Sequence, residues 1–304
     1  MQQAGLHRHR TQGLLDRESF PMRLWSKAKR QGAWDPQDID FAPDRMEWAT
    51  LPEQRRQRVL QLCALFHAGE EAVTLDLLPL LRVLAAEGRM EEEMYLTSFL
   101  WEEAKHVDLF DRFFAEVAGD PGDLSRFWHP SYRRILDQEL PDALRRLETD
   151  ASPEAQVRAS VTYNLVVEGI MADTGYLLFD RMLGHDGSLP GMRRAVGLLR
   201  RDESRHVAFG LYLISRLVVE HGDRAYGAFL RRMTELKPIV EDSTRQFLGF
   251  FDGAYPMGIT MDELMRHSRD RFAGRLQRIV RARTRTLHQL RVPGHRRPQP
   301  ATAD

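Results

Sequence analysis

Glu103-Ala104-Lys105-His106 and Glu203-Ser204-Arg205-His206 are two copies of one pattern, Glu-x-x-His, and everything else in the chain arranges itself around them. Upstream of each copy stands a single carboxylate in an apolar, helix-like run: Glu70 lies 33 residues before Glu103, and Glu168 lies 35 before Glu203. On an α-helix, residues i and i+3 share a face, so the Glu and His of each copy can reach one metal ion. Four helices packed side by side would bring Glu70, Glu103, His106, Glu168, Glu203 and His206 together in the interior, as six ligands for a pair of metals. One such tetrapeptide is common on an exposed helix face. Two, each with a lone Glu at near-equal distance upstream, are not.

The 304 residues suffice for one large helical domain or two smaller ones, and 42% hydrophobic content permits a sizeable core. The 44 basic and 44 acidic residues balance, so nothing pulls the whole chain toward nucleic acid or membrane. Cys63 is the single cysteine, which excludes an intrachain disulfide framework, fits a reducing cytoplasm, and reads as a small buried apolar residue. No run of eighteen apolar residues occurs, and the polar, basic start has no apolar signal core. Walker and Rossmann glycine fingerprints are absent.

Residues 1–30 read as a flexible segment, 31–290 as one domain and 291–304 as a Pro-rich disordered tail. Trp34-Asp35-Pro36-Gln37-Asp38-Ile39-Asp40-Phe41 is turn-rich and anchors an aromatic. Pro52 opens a long helix that is expected to run to Glu87-Gly88, with Glu70 inside its apolar face and Glu71 solvated. Further helices are expected over about 90–118, 153–184, 192–221, 223–249 and 262–290, with loop and short helix over 123–150. A buried, ionised Glu70 needs a partner, because a lone carboxylate in an apolar run is costly. The last helix carries Arg271, Arg275, Arg278, Arg281, Arg283 and Arg285, and reads as a solvated face. No alternating strand pattern appears, so the domain is all-α.

Four carboxylates can neutralise two divalent cations, which makes the filled site buriable. Mixed oxygen and imidazole ligation suits Fe or Mn better than Mg or Ca, and the absence of thiolates argues against structural zinc and iron–sulfur clusters. Two redox metals side by side can deliver two electrons to O2 together. The residues therefore point to an O2-activating dimetal oxidase, with metal storage as the competing reading.

With Trp34-x-Pro-x-Asp-Ile-Asp, the six ligands and Arg201-Asp202-Glu203-x-x-His206, residues 30–250 resemble the ribonucleotide reductase small-subunit superfamily, whose core is a ferritin-like four-helix bundle with additional helices. Radical-bearing small subunits usually place a tyrosine four residues after the first histidine, where this chain has Phe110; some reductase subunits with a Mn/Fe cofactor have phenylalanine there too. Their tails typically carry a tyrosine that docks a large subunit, and Gly294 to Pro300 has none.

Glu70 as first ligand, Val73 one turn beyond it and Tyr163 before Glu168 resemble instead the R2-like ligand-binding oxidases. That resemblance implies Mn with Glu70, Glu103 and His106, and Fe with Glu168, Glu203 and His206, Glu103 being a candidate bridge. It also implies a long-chain fatty acid whose carboxylate bridges the metals, a tyrosine–valine ether joining Tyr163 to Val73, a homodimer, and an electron donor acting with O2. In the superfamily Asp202 would accept a hydrogen bond from His106 and form an electron path with Trp34. Tyr176 either lines the ligand cavity or only packs. A regular α-helix would turn Tyr163 roughly 140° away from Glu168, so the assignment predicts a π-bulge between them.

Overall fold

The computed structural model describes residues 14–184, 187–249 and 258–291, and among these it contains helices and no strand. Helix α1 (Phe20–Gln31) precedes a short α2 (Ala42–Trp48); α3 (Glu53–Asp76), α4 (Leu78–Ala86) and α5 (Met90–Phe113) follow. After two further short helices, α6 (Pro130–Arg133) and α7 (Leu140–Arg145), comes a continuous helical run. It consists of α8 (Pro153–Ser160), a π-helix (Val161–Ala172) and α9 (Asp173–Gly184). Finally α10 (Pro190–Gly249), α11 (Met261–Ala282) and α12 (Leu287–Arg291) complete the chain. The core is the ferritin-like bundle of α3, α5, the α8–π–α9 run and the first limb of α10, with the other helices packed around it.

Helix α3 is central. Every residue from Val59 to Phe66 is buried, and all but Gln61 are apolar, so the helix is covered all round rather than on one stripe. It ends at Asp76 rather than at Glu87, where the sequence reading placed its end. Pro79 explains the difference: it has no N–H to donate and its ring disfavours helical geometry just before it, so the chain breaks and restarts as α4. The expected helices 192–221 and 223–249 meet at Gly222, whose backbone (φ 58°, ψ −135°) is open to glycine and strained for any residue with a Cβ. Residues 123–150 are more helical than expected, with 3₁₀, α and π turns following one another.

The segment 1–30, read as flexible, is corrected over its second half. Residues 20–31 form α1, which buries Met22, Leu24 and Ala28 and packs against α5. Its C-terminal carbonyls are held from the core: Arg201 donates to Gln31 O at 2.6 Å, and Lys105 donates to Gly32 O at 2.6 Å. Cations at a helix C-terminus satisfy orphan carbonyls and the helix dipole together. Residues 1–13 and the tail beyond Arg291 lie outside the described residues.

Candidate metal centre

The two long helices α5 and α10 carry Glu103/His106 and Glu203/His206 on facing surfaces, and α3 and the π-helix add Glu70 and Glu168. All six side chains are buried and converge. His106 Nδ1 lies 3.3 Å from Glu70, 3.4 Å from Glu103 and 3.5 Å from Glu203. His206 Nδ1 lies 3.0 Å from Glu103, 3.4 Å from Glu203 and 3.7 Å from Glu168. Glu103 and Glu203 thus both stand between the two imidazoles, so the bridging position expected of Glu103 alone has two candidates.

Several inward carboxylate oxygens have no hydrogen-bond partner: Glu103 Oε2, Glu168 Oε1 and Glu203 Oε2. Orphaned buried acceptors of this kind are expensive unless something else satisfies them. Carboxylate oxygens and imidazole nitrogens aimed at one another across a few ångströms fit a pair of cations. The electrostatics agree. Burial pushes the Glu70, Glu168 and Glu203 carboxyls above their usual range, aided for Glu168 by Glu203 and for Glu203 by Glu103. Burial also opposes the ionisation of Glu103, but His206 and His106 on either side hold it well below that range. Burial disfavours charge on the two histidines too, yet their carboxylate neighbours outweigh it and raise both well above the ordinary value. Protons therefore occupy positions that cations would take.

Behind the imidazoles lies a second arrangement, in which the acidic residue preceding one motif holds the histidine of the other. Asp202 Oδ2 is 3.4 Å from His106 Nε2, and Glu102 Oε2 is 2.9 Å from His206 Nε2. Arg205 Nη2 ties the two acids together, at 2.6 Å from Glu102 and 2.5 Å from Asp202. Trp34 Nε1 donates to Asp202 at 2.7 Å and Lys105 donates to the same oxygen at 3.2 Å, so the contacts expected of Asp202 are present. Glu102 was not singled out in the sequence. The signal was there: an acidic residue directly precedes both Glu103 and Glu203. Gly32 makes the crowding possible, since a Cβ there would sit 2.0 Å from Glu102 Oε1.

The π-helix answers the geometrical difficulty of Tyr163. An i→i+5 ladder places residues five apart nearly above one another, and over Val161–Ala172 it lets both Glu168 and Tyr163 face inward. The distortion is a twelve-residue π-helix, longer than the single bulge expected. The Tyr163 hydroxyl donates to Glu103 Oε1 at 3.1 Å, and Asn164 Nδ2 donates to Glu168 Oε2 at 3.2 Å. Val73 is buried on α3 and lines a mostly apolar cavity that reaches Glu70, Glu103, Glu168 and Glu203. Phe66, Leu136, Val167 and Phe247 form part of its wall. Tyr176 does not line it; its ring packs on Phe66 with centroids 5.0 Å apart.

Residues 21–277 match the family described as ribonucleotide reductase, small chain. Among solved structures, an R2-like ligand-binding oxidase with aerobically reconstituted Mn/Fe cofactor is 38% identical, with a TM-score of 0.83 over 89% of this chain and 98% of that one. A glycine-to-phenylalanine variant with the same kind of cofactor is 38% identical, with a TM-score of 0.83 over 87% of this chain and 98% of the other. A tyrosine-to-phenylalanine variant matches at 38% identity and a TM-score of 0.82, over 89% and 98% of the two chains. With its all-α core, its buried carboxylate–histidine cluster and these relatives, the chain belongs to the R2-like ligand-binding oxidases of the ribonucleotide reductase small-chain family.

Proposed function

We propose that this protein is an O2-activating oxidase with Mn held by Glu70, Glu103 and His106, and Fe by Glu168, Glu203 and His206. A long-chain fatty acid occupies the apolar cavity with its carboxylate at the metals. The observation that carries the reading is the Tyr163 hydroxyl on Glu103 Oε1 at 3.1 Å, with Val73 on the cavity wall beside Glu70. The Mn/Fe cofactor of the similar oxidases supports the choice of metals. When bound, the pair supplies O2 binding and, by one-electron oxidation of each metal, two of the four electrons that reduce O2 to water.

The chain does the rest. Asp202 and Glu102 accept from the Nε2 side of His106 and His206, leaving both Nδ1 atoms turned inward. Glu103 Oε1 holds the phenol proton of Tyr163 at the place where it is to be lost. Val73 and Tyr163 are both buried, which keeps water from the bond that forms. Val73 gives up its Cβ–H hydrogen and Tyr163 its O–H hydrogen; a C–O bond joins them, and the two electrons and two protons released, with two further protons from solvent, complete the reduction of O2 to two waters.

Intact and peptide mass spectrometry after loading metal-free protein with Mn(II), Fe(II) and O2 tests this. A loss of two hydrogens, mapped to joined peptides holding Val73 and Tyr163 and absent from Tyr163→Phe, is expected. An unchanged mass with both metals bound would overturn the cross-link.

The match to the reductase small-chain family favours a second reading, a radical-generating subunit. It requires a large partner, and binding of such a subunit would decide for it. We further infer a cytoplasmic homodimer supplied by an external electron donor. No described helix is long and apolar enough to cross a membrane.

A further inference from the structure

The Arg-rich helix α11, read from the sequence as a solvated face, is engaged with the site on one side. His267, Arg271 and Arg275 are spaced by four and share that side. His267 and Arg271 each approach Asp173 at 2.7 Å, the residue immediately after the π-helix. Arg275 Nη2 donates to the carbonyl of Gly169 at 3.1 Å, and Gly169 directly follows Glu168. The approach depends on glycine, because a Cβ at residue 169 would lie 3.1 Å from Arg275 Nε and 2.9 Å from Asn164 O. Arg275 is half-buried, and its Nε is buried without a hydrogen-bond partner.

The π-helix requires such support. Long runs of i→i+5 hydrogen bonds are rare because the α form competes with them. A return to α geometry would swing Tyr163 and Glu168 roughly 140° apart. We propose that Arg275 is a positioning residue, which by holding the Gly169 carbonyl keeps the π-helix in the register that turns Glu168 into the carboxylate cluster. This rests on the reading of Glu168 as a metal ligand. Arg232, donating to Thr162 Oγ1 at 2.9 Å, secures the other end of the π-helix.

Anaerobic Mn(II) titration of the full chain tests the proposal, with hydrogen exchange over residues 161–172 measured alongside on the metal-free protein. Two Mn(II) per wild-type chain are expected. Arg275→Met should keep one at wild-type affinity, weaken the other about tenfold or more, and speed exchange across 161–172. Arg275→Lys should recover at least part of the loss through its ammonium, and Arg278→Met on the exposed side should change nothing. Two wild-type affinities with unchanged exchange in Arg275→Met, or equal loss at both sites, would overturn the role. If that variant does not fold, Gly169→Ala replaces it with the same expectation and the same refuting outcome. Wild-type protein that binds no metal pair would overturn the metal-centre reading and the role built on it, whereas a two-site wild type with unaltered variants overturns the role alone.

Discussion

Glu102 accepts from His206 across the bundle, 2.9 Å from its Nε2, although the two residues belong to different motifs. The same oxygen pair brings Arg205 within 2.6 Å, so one buried carboxylate orients an imidazole and neutralises a guanidinium. Removing it should be felt at the metal before it is felt by the fold. We expect Glu102→Ala to weaken metal binding at the His206 position by about 10–100-fold, the usual cost of losing the partner of a ligating histidine. Glu102→Gln, whose carbonyl can still accept from Nε2, should lose much less. Metal titration of both variants checks this; equal affinities in Glu102→Ala and wild type would show that His206 is held by its other neighbours.

The six-residue cluster was legible because its spacing is a property of helices: i and i+3 on α5 and α10, repeated with an upstream Glu. Glu102 was not, because the residue beside a ligand normally points elsewhere, as exposed Glu71 does beside Glu70. Only the crossed arrangement of two motifs gives Glu102 and Asp202 their roles, and that is a tertiary fact. The same holds for α1, whose modest apolar stripe matters because α5 and the Lys105 and Arg201 cations receive it. The break at Leu77 was readable from Pro79. The length of the π-helix was not, because its support comes from Arg232 and Arg275, on helices distant in sequence.

Protonation of the cluster predicts how metal-free protein responds to pH. Glu70, Glu168, His106 and His206 all have raised pKa values, so the folded chain keeps protons that the unfolded chain releases. Their contribution is full below the unfolded values, about 4.3 for Glu and about 6.5 for His. It is lost as pH rises through the folded values. Glu103 and Asp202 are shifted the other way, so their contribution is present above the unfolded values and lost as pH falls. As pH rises above the unfolded values, the melting temperature of metal-free protein should therefore fall. Cations replace those protons, so the gain in melting temperature on adding Mn(II) should widen over the same range. A gain that narrows toward alkaline pH would contradict the assignment of protons to the cluster.

Gly175 tests the cavity. A Cβ there would stand 2.4 Å from Phe66 Cε2, and Phe66 is already flanked by Phe110, Tyr176 and Phe179 at centroid distances of 5.9, 5.0 and 5.2 Å. The open direction for the ring is into the cavity that it lines. Gly175→Ala should cost about 1–3 kcal/mol of stability through overpacking, and it should cut several-fold the long-chain acid that we propose occupies the cavity. Gly197→Ala, where a Cβ meets nothing within 4 Å, serves as the control. Extraction and mass spectrometric quantification of the acid per chain gives the answer, and wild-type lipid content in Gly175→Ala would place the ligand elsewhere.

Arg216 separates stability from function. It is 2% exposed, with its guanidinium 2.7 Å from Glu220 and 3.0 Å from Glu92. Arg89 also holds Glu220 at 2.9 Å, so loss of Arg216 leaves Glu220 an ion pair but leaves Glu92 the Tyr212 hydroxyl at 3.3 Å. Burial already pushes the Glu92 carboxyl above its usual range, with Arg216 opposing. Arg216→Met should thus destabilise the fold by about 3–5 kcal/mol, the cost of an uncompensated buried charge. Adding Glu92→Met removes that charge and should return most of the loss, since an apolar pair in place of a buried ion pair is often neutral or better. Glu92 lies eleven residues before Glu103 on α5, about 16 Å along the helix. Metal stoichiometry should therefore be two per chain in all three proteins. Denaturant titration with metal titration on the same samples checks both halves: a double variant as unstable as Arg216→Met would mean that the guanidinium stabilises by packing, and a lost metal would mean that the network reaches the site.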